Sequence, residues 1–321
     1  MPMTRPLFAL LLTLLSAFPV AAQTWPAATV RIVVPFGPGS TPDLVARLLA
    51  ERLQLKFGQT FTVENKPGAS GNIGTDVVAK SEPDGYTLGV SIGGPLAINP
   101  ILFATMPYDP AKDLALISML ATQPSALAVN ANVSADSVPA LIDLLKRNPG
   151  KYTFGSIGTG SLSHLAMEAV ALKSGTQMVH VPYGSSPQAV AALIRGDVQI
   201  ACLPAIAVIP QVASGKLRLV AISTAARSPL LPGIPTLKES GIDVEADAWM
   251  GLIAPAKTPS PILATLQQAV GEIMSTAEIR TKLAAQIMEP IPTTPTQFRA
   301  RIDADVVRWA PVIRATNIKI N

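Results

Sequence analysis

Cysteine is nearly absent from this sequence: Cys202 is the only one in 321 residues, so no internal disulfide can form. Its surroundings, Val198-Gln-Ile-Ala-Cys-Leu203, read as an apolar strand in which the sulfur is a small core group. Histidine is almost as scarce, at two. With one thiol, that leaves too few ligands for a zinc site, and no metal or cofactor is expected. Charged residues make up only 14% of the chain, the formal charge is +4, and Lys and Arg never form a long run, so no nucleic-acid surface is expected. The G-x-x-x-x-G-K-[ST] phosphate loop is missing, which removes the usual signature of nucleotide binding, and none of Ser156, Ser161 and Ser163 sits in a G-x-S-x-G nucleophile elbow. Long apolar runs are missing too. The one extended apolar stretch, Leu7 to Phe18, is shorter than the roughly 20 residues that a membrane-spanning helix needs. With Arg5 before it and Val20-Ala-Ala22 after it, residues 1–22 read as a secretory signal peptide. No cysteine follows that cleavage site, so no lipid anchor is expected.

The full 321-residue chain, leader included, is 49% hydrophobic, which excludes disorder, and 33.5 kDa is enough for two lobes with a core each. The organising stretch runs Arg31-Ile-Val-Val-Pro-Phe-Gly-Pro-Gly-Ser-Thr-Pro-Asp43. A β-branched strand, Val30 to Val34, leads into a turn in which Gly37 and Gly39 permit close backbone approach. Thr41 suits a helix N-cap and Pro42 the first helical position, with Leu44, Val45, Leu48 and Leu49 at helical spacing. Such a unit aims unpaired N–H groups and the positive end of a helix dipole at a guest above the turn. A small anion fits that description. Asp43 would repel an anion, but at the start of a helix it is favourable for the dipole.

The same grammar returns twice. Lys151-Tyr-Thr-Phe154 leads into Gly155-Ser-Ile-Gly-Thr-Gly160, and Ser161 caps a helix from Leu162 to Lys173 closed by Gly175. Val179-His-Val181 leads into Pro182-Tyr-Gly-Ser-Ser186, and Pro187 starts a helix to about Ile194. Three such turns suggest loops converging on one cleft at the carboxyl ends of parallel strands. Further strands are expected at Thr60–Glu64, Tyr86–Val90, Ala126–Val129, Val198–Leu203 and Leu217–Ser223. The last helix places Phe298, Ile302, Val306 and Trp309 on one stripe, with Arg299, Asp303, Asp305 and Arg308 facing elsewhere. The expected architecture is an α/β clamshell, each lobe a mostly parallel sheet flanked by helices. Lobe one would hold residues 23–125 and 248–321, and lobe two residues 126–247.

Several motifs in order carry a more specific resemblance. They are Val33-Val-Pro-Phe36 with Gly39, Asp43 and Ala46-Arg47; Glu64-Asn65 with Pro67-Gly68 and Gly71-Asn-Ile-Gly74; Pro83-Asp-Gly-Tyr-Thr-Leu88; and Gly155-Ser156 with Gly158 and His164-Leu-Ala166. His180-Val-Pro-Tyr183, Gly215-Lys-Leu-Arg218, and Trp249 with Gly251 and Ala254-Pro255 complete the set. In this the chain resembles the substrate-binding proteins of tripartite tricarboxylate transporters, also called the Bug family of periplasmic receptors.

The resemblance implies a type II periplasmic-binding-protein fold, a periplasmic location, and capture of a small carboxylate handed on to a separate membrane permease. It also implies that the first turn of each lobe holds one carboxylate through backbone groups, hydroxyls and bridging waters. Those positions are Phe36, Gly39, Ser40 and Thr41 in lobe one, and Ser156, Gly158, Thr159 and Gly160 in lobe two. Ser91, His164, Ser185 and Ser186 are further candidates. The chain departs from relatives in reading Ser40 and Pro42 near the first turn, Leu203-Pro-Ala205 where an acid is common, and no lysine after Tyr183. A plain carboxylate is therefore favoured over an amino acid. The protein is expected to act as a monomer. A receptor that presents its ligand to a sensor kinase fits the same sequence. A serine hydrolase is the competing class: Ser156, Ser161 and Ser163 lie near His164, and His180 is the other histidine, but no acid is placed to orient a base. An enzyme is not expected.

Overall fold

The computed structural model describes residues 25–320, so the leader expected at residues 1–22 lies outside the described residues. The chain begins with β1 (Val30–Val34), α1 (Thr41–Phe57), β2 (Phe61–Asn65), α2 (Asn72–Ala79), β3 (Thr87–Ile92), α3 (Asn99–Leu102) and β4 (Leu114–Gln123). It crosses into β5 (Ser125–Asn130), α4 (Val138–Arg147), β6 (Thr153–Ser156), α5 (Leu162–Ser174) and β7 (Val179–Pro182). Next come α6 (Ser186–Arg195), β8 (Ile200–Pro204), α7 (Ala205–Ala213) and β9 (Leu217–Ile222). β10 (Ala248–Pro255) returns to the first sheet, followed by α8 (Ser260–Met274), α9 (Ala277–Ala284), β11 (Glu289–Pro290) and α10 (Pro295–Thr316).

Two mixed sheets result, ordered β11-β4-β10-β3-β1-β2 and β7-β6-β8-β5-β9. Parallel pairing joins β1 to β2 and β3, and β6 to β7 and β8. Antiparallel pairing joins the strands that carry the chain between the sheets, so the sheets are less parallel than the sequence suggested. The directions decide what faces what. β10 runs against both β3 and β4, so β4 runs with β3 and ends, at Gln123, on the carboxyl edge of the parallel strands. β5 starts at Ser125 opposite Pro204, the carboxyl end of β8. One residue, Pro124, therefore ties the carboxyl edges of the two sheets together. The return crossing does the same: β9 ends at Ile222 beside Ala126, and β10 begins at Ala248 beside Gln123.

Each sheet has its own packing. Ile32, Leu49, Leu53 and Leu88, all within 1% of full burial, anchor α1 and its neighbours on the first sheet, and Leu127, Phe154 and Leu165 anchor the second. Burying each such side chain stabilises by about 1.5–3 kcal/mol. α1 and α5 end where expected, at Gly58 and Gly175, both in the left-handed region (φ +68° and +66°) that a Cβ disfavours. α10 spans both cores: Phe298 and Ile302 pack on the first sheet, Trp309, Val312 and Ile313 on the second.

Here the expected stripe needs correction. Val306 is 36% exposed, whereas Asp305 is 4% exposed and accepts the indole N–H of Trp249 at 2.7 Å. Seven residues bring a helix back to nearly the same face and eight overshoot it, so 305 continues the line of Phe298 and 306 does not. Arg301 and Arg308 pair with the Asp305 carboxylate and make its burial tolerable. Two further elements were not foreseen. β4 is a ten-residue strand where the sequence reading placed none, and Ala205–Ala213 is helical despite Pro210.

Candidate functional site

The turn after β1 is shaped mainly by one carboxylate. Ser40, not Thr41, is the N-cap of α1, and its side chain makes no capping bond; its hydroxyl oxygen is buried without a partner. Asp43, three residues on and 1% exposed, reaches back instead. Its Oδ2 accepts the Gly39 amide at 2.9 Å and Arg47 Nε at 3.0 Å, and its Oδ1 accepts Asn65 Nδ2 at 2.9 Å. Burial works against the ionised Asp43, but hydrogen bonds from Arg47, Gly39 and Asn65 outweigh it and hold the carboxyl below its usual range. Asn65, from the end of β2, also donates to the Phe36 carbonyl at 2.8 Å and so clamps the turn from the side. Thr41 Oγ1 lies 3.5 Å from Gln123 Oε1, which puts the start of α1 against the crossing. Across that crossing, the Ala205 amide at the start of α7 donates to the Pro124 carbonyl at 3.0 Å.

The turn after β6 is tied up by its own side chains. The Ile157 amide donates to Ser163 Oγ at 2.9 Å, the Gly158 amide to Ser156 Oγ at 3.2 Å, and the Gly160 amide to His164 Nδ1 at 3.1 Å. Ser161 caps α5 by accepting the His164 amide. Thr159, at the middle of this turn, is exposed. Gly160 packs against Leu102 and Ile320, each of which would lie 2.9 Å from an added Cβ. Ser156 is fully buried, with Oγ 2.6 Å from His180 Nε2. The Tyr183 amide donates to the Ser156 carbonyl at 2.9 Å, which brings the turn after β7, with half-buried Ser185 and Ser186 at the start of α6, alongside.

The candidates thus fall into groups. Phe36, Gly39, Ser40 and Thr41 share one turn, and Ser156, Gly158, Thr159, Gly160 and His164 share another, with Ser185 and Ser186 on the adjacent strand end. Ser91 stands apart: it is 1% exposed and its hydroxyl is 3.2 Å from Thr75 Oγ1, which donates to the Gly71 carbonyl. Neither Asn65, which entered only within the Glu64-Asn65 motif, nor Gln123 was among the expected site residues, because their relevance comes from sheet neighbours rather than chain neighbours. None of the grouped residues carries a formal charge except through histidine. Burial, and then His164, push His180 down to about 4, so it is neutral near pH 7.

The Ser156–His180 pair lacks the arrangement of a nucleophile and base. The hydroxyl has no open face, and Glu168 lies 3.5 Å from His164 rather than against His180. A hollow of about 520 Å³ on the second lobe is lined by apolar groups and Arg218. That guanidinium is already committed to the Val133 and Ala135 carbonyls, so the hollow offers a carboxylate little. Among the described residues, no cluster of three or more His, Cys, Asp or Glu is placed to hold a metal ion, and no helix is long and apolar enough to cross a membrane.

Comparisons with known proteins agree with this architecture. Residues 45–318 match the family model described as tripartite tricarboxylate transporter family receptor. Protein BugT of Bordetella pertussis is 38% identical over 306 residues, covering 95% of this chain and 94% of BugT. The solved structure of R. palustris Rpa4515 with adipate superposes with a TM-score of 0.82 at 33% identity, covering 92% of this chain and 99% of the other. MatC from Rhodopseudomonas palustris with bound malate gives 0.77 at 28% identity, covering 90% and 100%. Two lobes joined at their carboxyl edges, neutral glycine–serine turns at helix starts, and a match over most of the sequence converge on one assignment. The chain belongs to the tripartite tricarboxylate transporter family of solute-binding receptors.

Proposed function

We propose that this protein works in the periplasm, captures a small carboxylate between its lobes and delivers it to the membrane permease of a tripartite transporter. The observation that carries the reading is Ser40: a hydroxyl buried without a partner at the start of a helix, beside the crossing that joins the two carboxyl edges. A buried hydroxyl without a partner costs about 1–3 kcal/mol. An incoming carboxylate oxygen would remove that cost and gain the helix dipole as well. Thr159 and the serines that start α6 would meet the same anion from the other lobe. Closure would exclude water, strengthen those bonds and give the permease a shape to read. The adipate and malate held by the similar proteins support the ligand class.

The test is a thermal-shift and calorimetric panel of mono-, di- and tricarboxylates, adipate and malate included, on wild type and Ser40→Ala. At least one carboxylate should raise the melting temperature of wild type with dose. Ser40→Ala should melt at or slightly above wild type, since it removes an unpaired buried hydroxyl, yet bind that carboxylate at least fivefold more weakly. Unchanged affinity would remove Ser40 from the site, and no shift with any carboxylate would remove the ligand class. Delivery is tested by uptake of the identified carboxylate in cells that hold the permease with or without the receptor. Equal uptake would refute it.

A further inference from the structure

We propose that His164 and His180 are positioning residues, which hold the turn after β6 in the shape that receives the carboxylate without touching it. The inference rests on the carboxylate reading above. The two imidazoles stack with centroids 3.7 Å apart and planes within 10°, and Phe154 stacks on both, at 6.0 Å from His164 and 5.0 Å from His180. This small aromatic block sits beneath the turn and reaches it at two points. His164, 4% exposed, accepts the Gly160 amide on Nδ1. That leaves Nε2 as the protonated nitrogen, facing Glu168 at 3.5 Å.

His180 acts one step removed. Its Nε2 meets Ser156 Oγ, which accepts the Gly158 amide and donates to the Gly158 carbonyl at 3.1 Å. With the hydroxyl hydrogen on the Gly158 carbonyl, His180 donates Nε2–H to the same oxygen; in the other tautomer the hydroxyl donates to Nε2, and either way the ring holds Ser156 Oγ in place. Gly158 and Gly160, both at positive φ (+123° and +76°), are thus pinned on either side of exposed Thr159.

The choice of imidazole has an electrostatic reason. An amide in a tight turn needs an acceptor, and a carboxylate would be the strong one. Here it would set a negative charge against the anion the turn is to bind. Neutral imidazole supplies a lone pair without that charge. In the first lobe, where Asp43 does the equivalent work on Gly39, Arg47 balances the carboxylate directly. The second lobe has no such cation on its turn, and a neutral acceptor replaces the ion pair.

The experiment compares His164→Ala, His164→Asn, His180→Ala and His180→Gln with wild type. Asn can place an oxygen near the position of Nδ1 and Gln can place an amide near that of Nε2, so each conservative variant restores the hydrogen bond without the ring. Affinities for adipate and malate are measured by calorimetry, protection of the Gly160 amide by hydrogen exchange, and the wild-type tautomers by long-range ¹H–¹⁵N spectra. The expected result is a bare Nδ1 on His164, loss of Gly160 protection and at least tenfold weaker binding in His164→Ala, and recovery to within threefold of wild type in His164→Asn. His180→Gln should likewise bind more tightly than His180→Ala. Equal binding by His164→Ala and His164→Asn, or unchanged Gly160 protection in His164→Ala, would overturn the inference. Failure of wild type to bind any carboxylate would instead sink the carboxylate reading, while the exchange and tautomer data still decide whether the imidazoles hold the turn.

Discussion

Replacing Asp43 with Asn keeps the shape of the side chain and removes one acceptor. In the structure three donors converge on this carboxylate: the Gly39 amide, Arg47 Nε and Asn65 Nδ2. Asn offers one oxygen and one NH₂, so at least one of those donors must face another donor. Rotating Asn65 to compensate would forfeit its bond to the Phe36 carbonyl and the one its oxygen accepts from Arg47. One buried unsatisfied group costs about 1–3 kcal/mol. The lost charge at the start of α1 adds about 0.3–1 kcal/mol. The Arg47 side of the ion pair is 52% exposed and adds little more. The total is about 1.3–4 kcal/mol, a melting-temperature loss of roughly 2–6 °C for a chain of this size.

The pH dependence gives a second handle. Asp43 is held below its usual range in the folded protein, so its contribution is complete above about pH 4 and is lost as pH falls through the folded value. The gap between wild type and Asp43→Asn should therefore be full at pH 7 and narrow progressively as pH falls below about 4. Scanning calorimetry across that range is the assay. A variant melting within 1 °C of wild type at pH 7, or a gap that does not narrow in acid, would refute the account of how this turn is built.

Three other outcomes follow from the same reasoning. Gly251→Ala places a methyl into the ring of Phe298, an overpacking that should cost about 1–3 kcal/mol or more; chemical denaturation should show the loss, with partial recovery in a Phe298→Leu background. Trp249→Phe takes a donor from buried Asp305 and should cost about 1–3 kcal/mol, read as a lower urea midpoint. His180, at about 4 when folded, would take up its proton near pH 6.5 when unfolded. Unfolding then binds a proton between those values, so stability should fall as pH drops from about 6.5 to about 4, and His180→Gln should flatten that part of the profile.

Local physics explains what could be read in advance. A β-branched run, a glycine turn and a proline-started helix need only their own residues, so β1 and α1 were legible, as were the glycine ends at Gly58 and Gly175. The two-lobed architecture was legible from alternation and from the motifs in order. The hand-over of roles within the turns was not. That Asp43 satisfies Gly39, and that His164 serves Gly160, depends on rotamers chosen by packing.

The sequence alone determined most of the elements, the neutral glycine–serine character of the turns and the poverty in metal-binding groups, because these are properties of near neighbours along the chain. Tertiary structure decided which carboxyl edges face each other, through the single residue Pro124 between antiparallel strands. It also decided that Asp305 belongs inside while Val306 does not, because burial of a charge depends on partners from β10 and α10 that only folding brings within reach. Ser40 shows the same division: its place at a helix start is written in the chain, but that its hydroxyl is buried without a partner is decided by the fold around it.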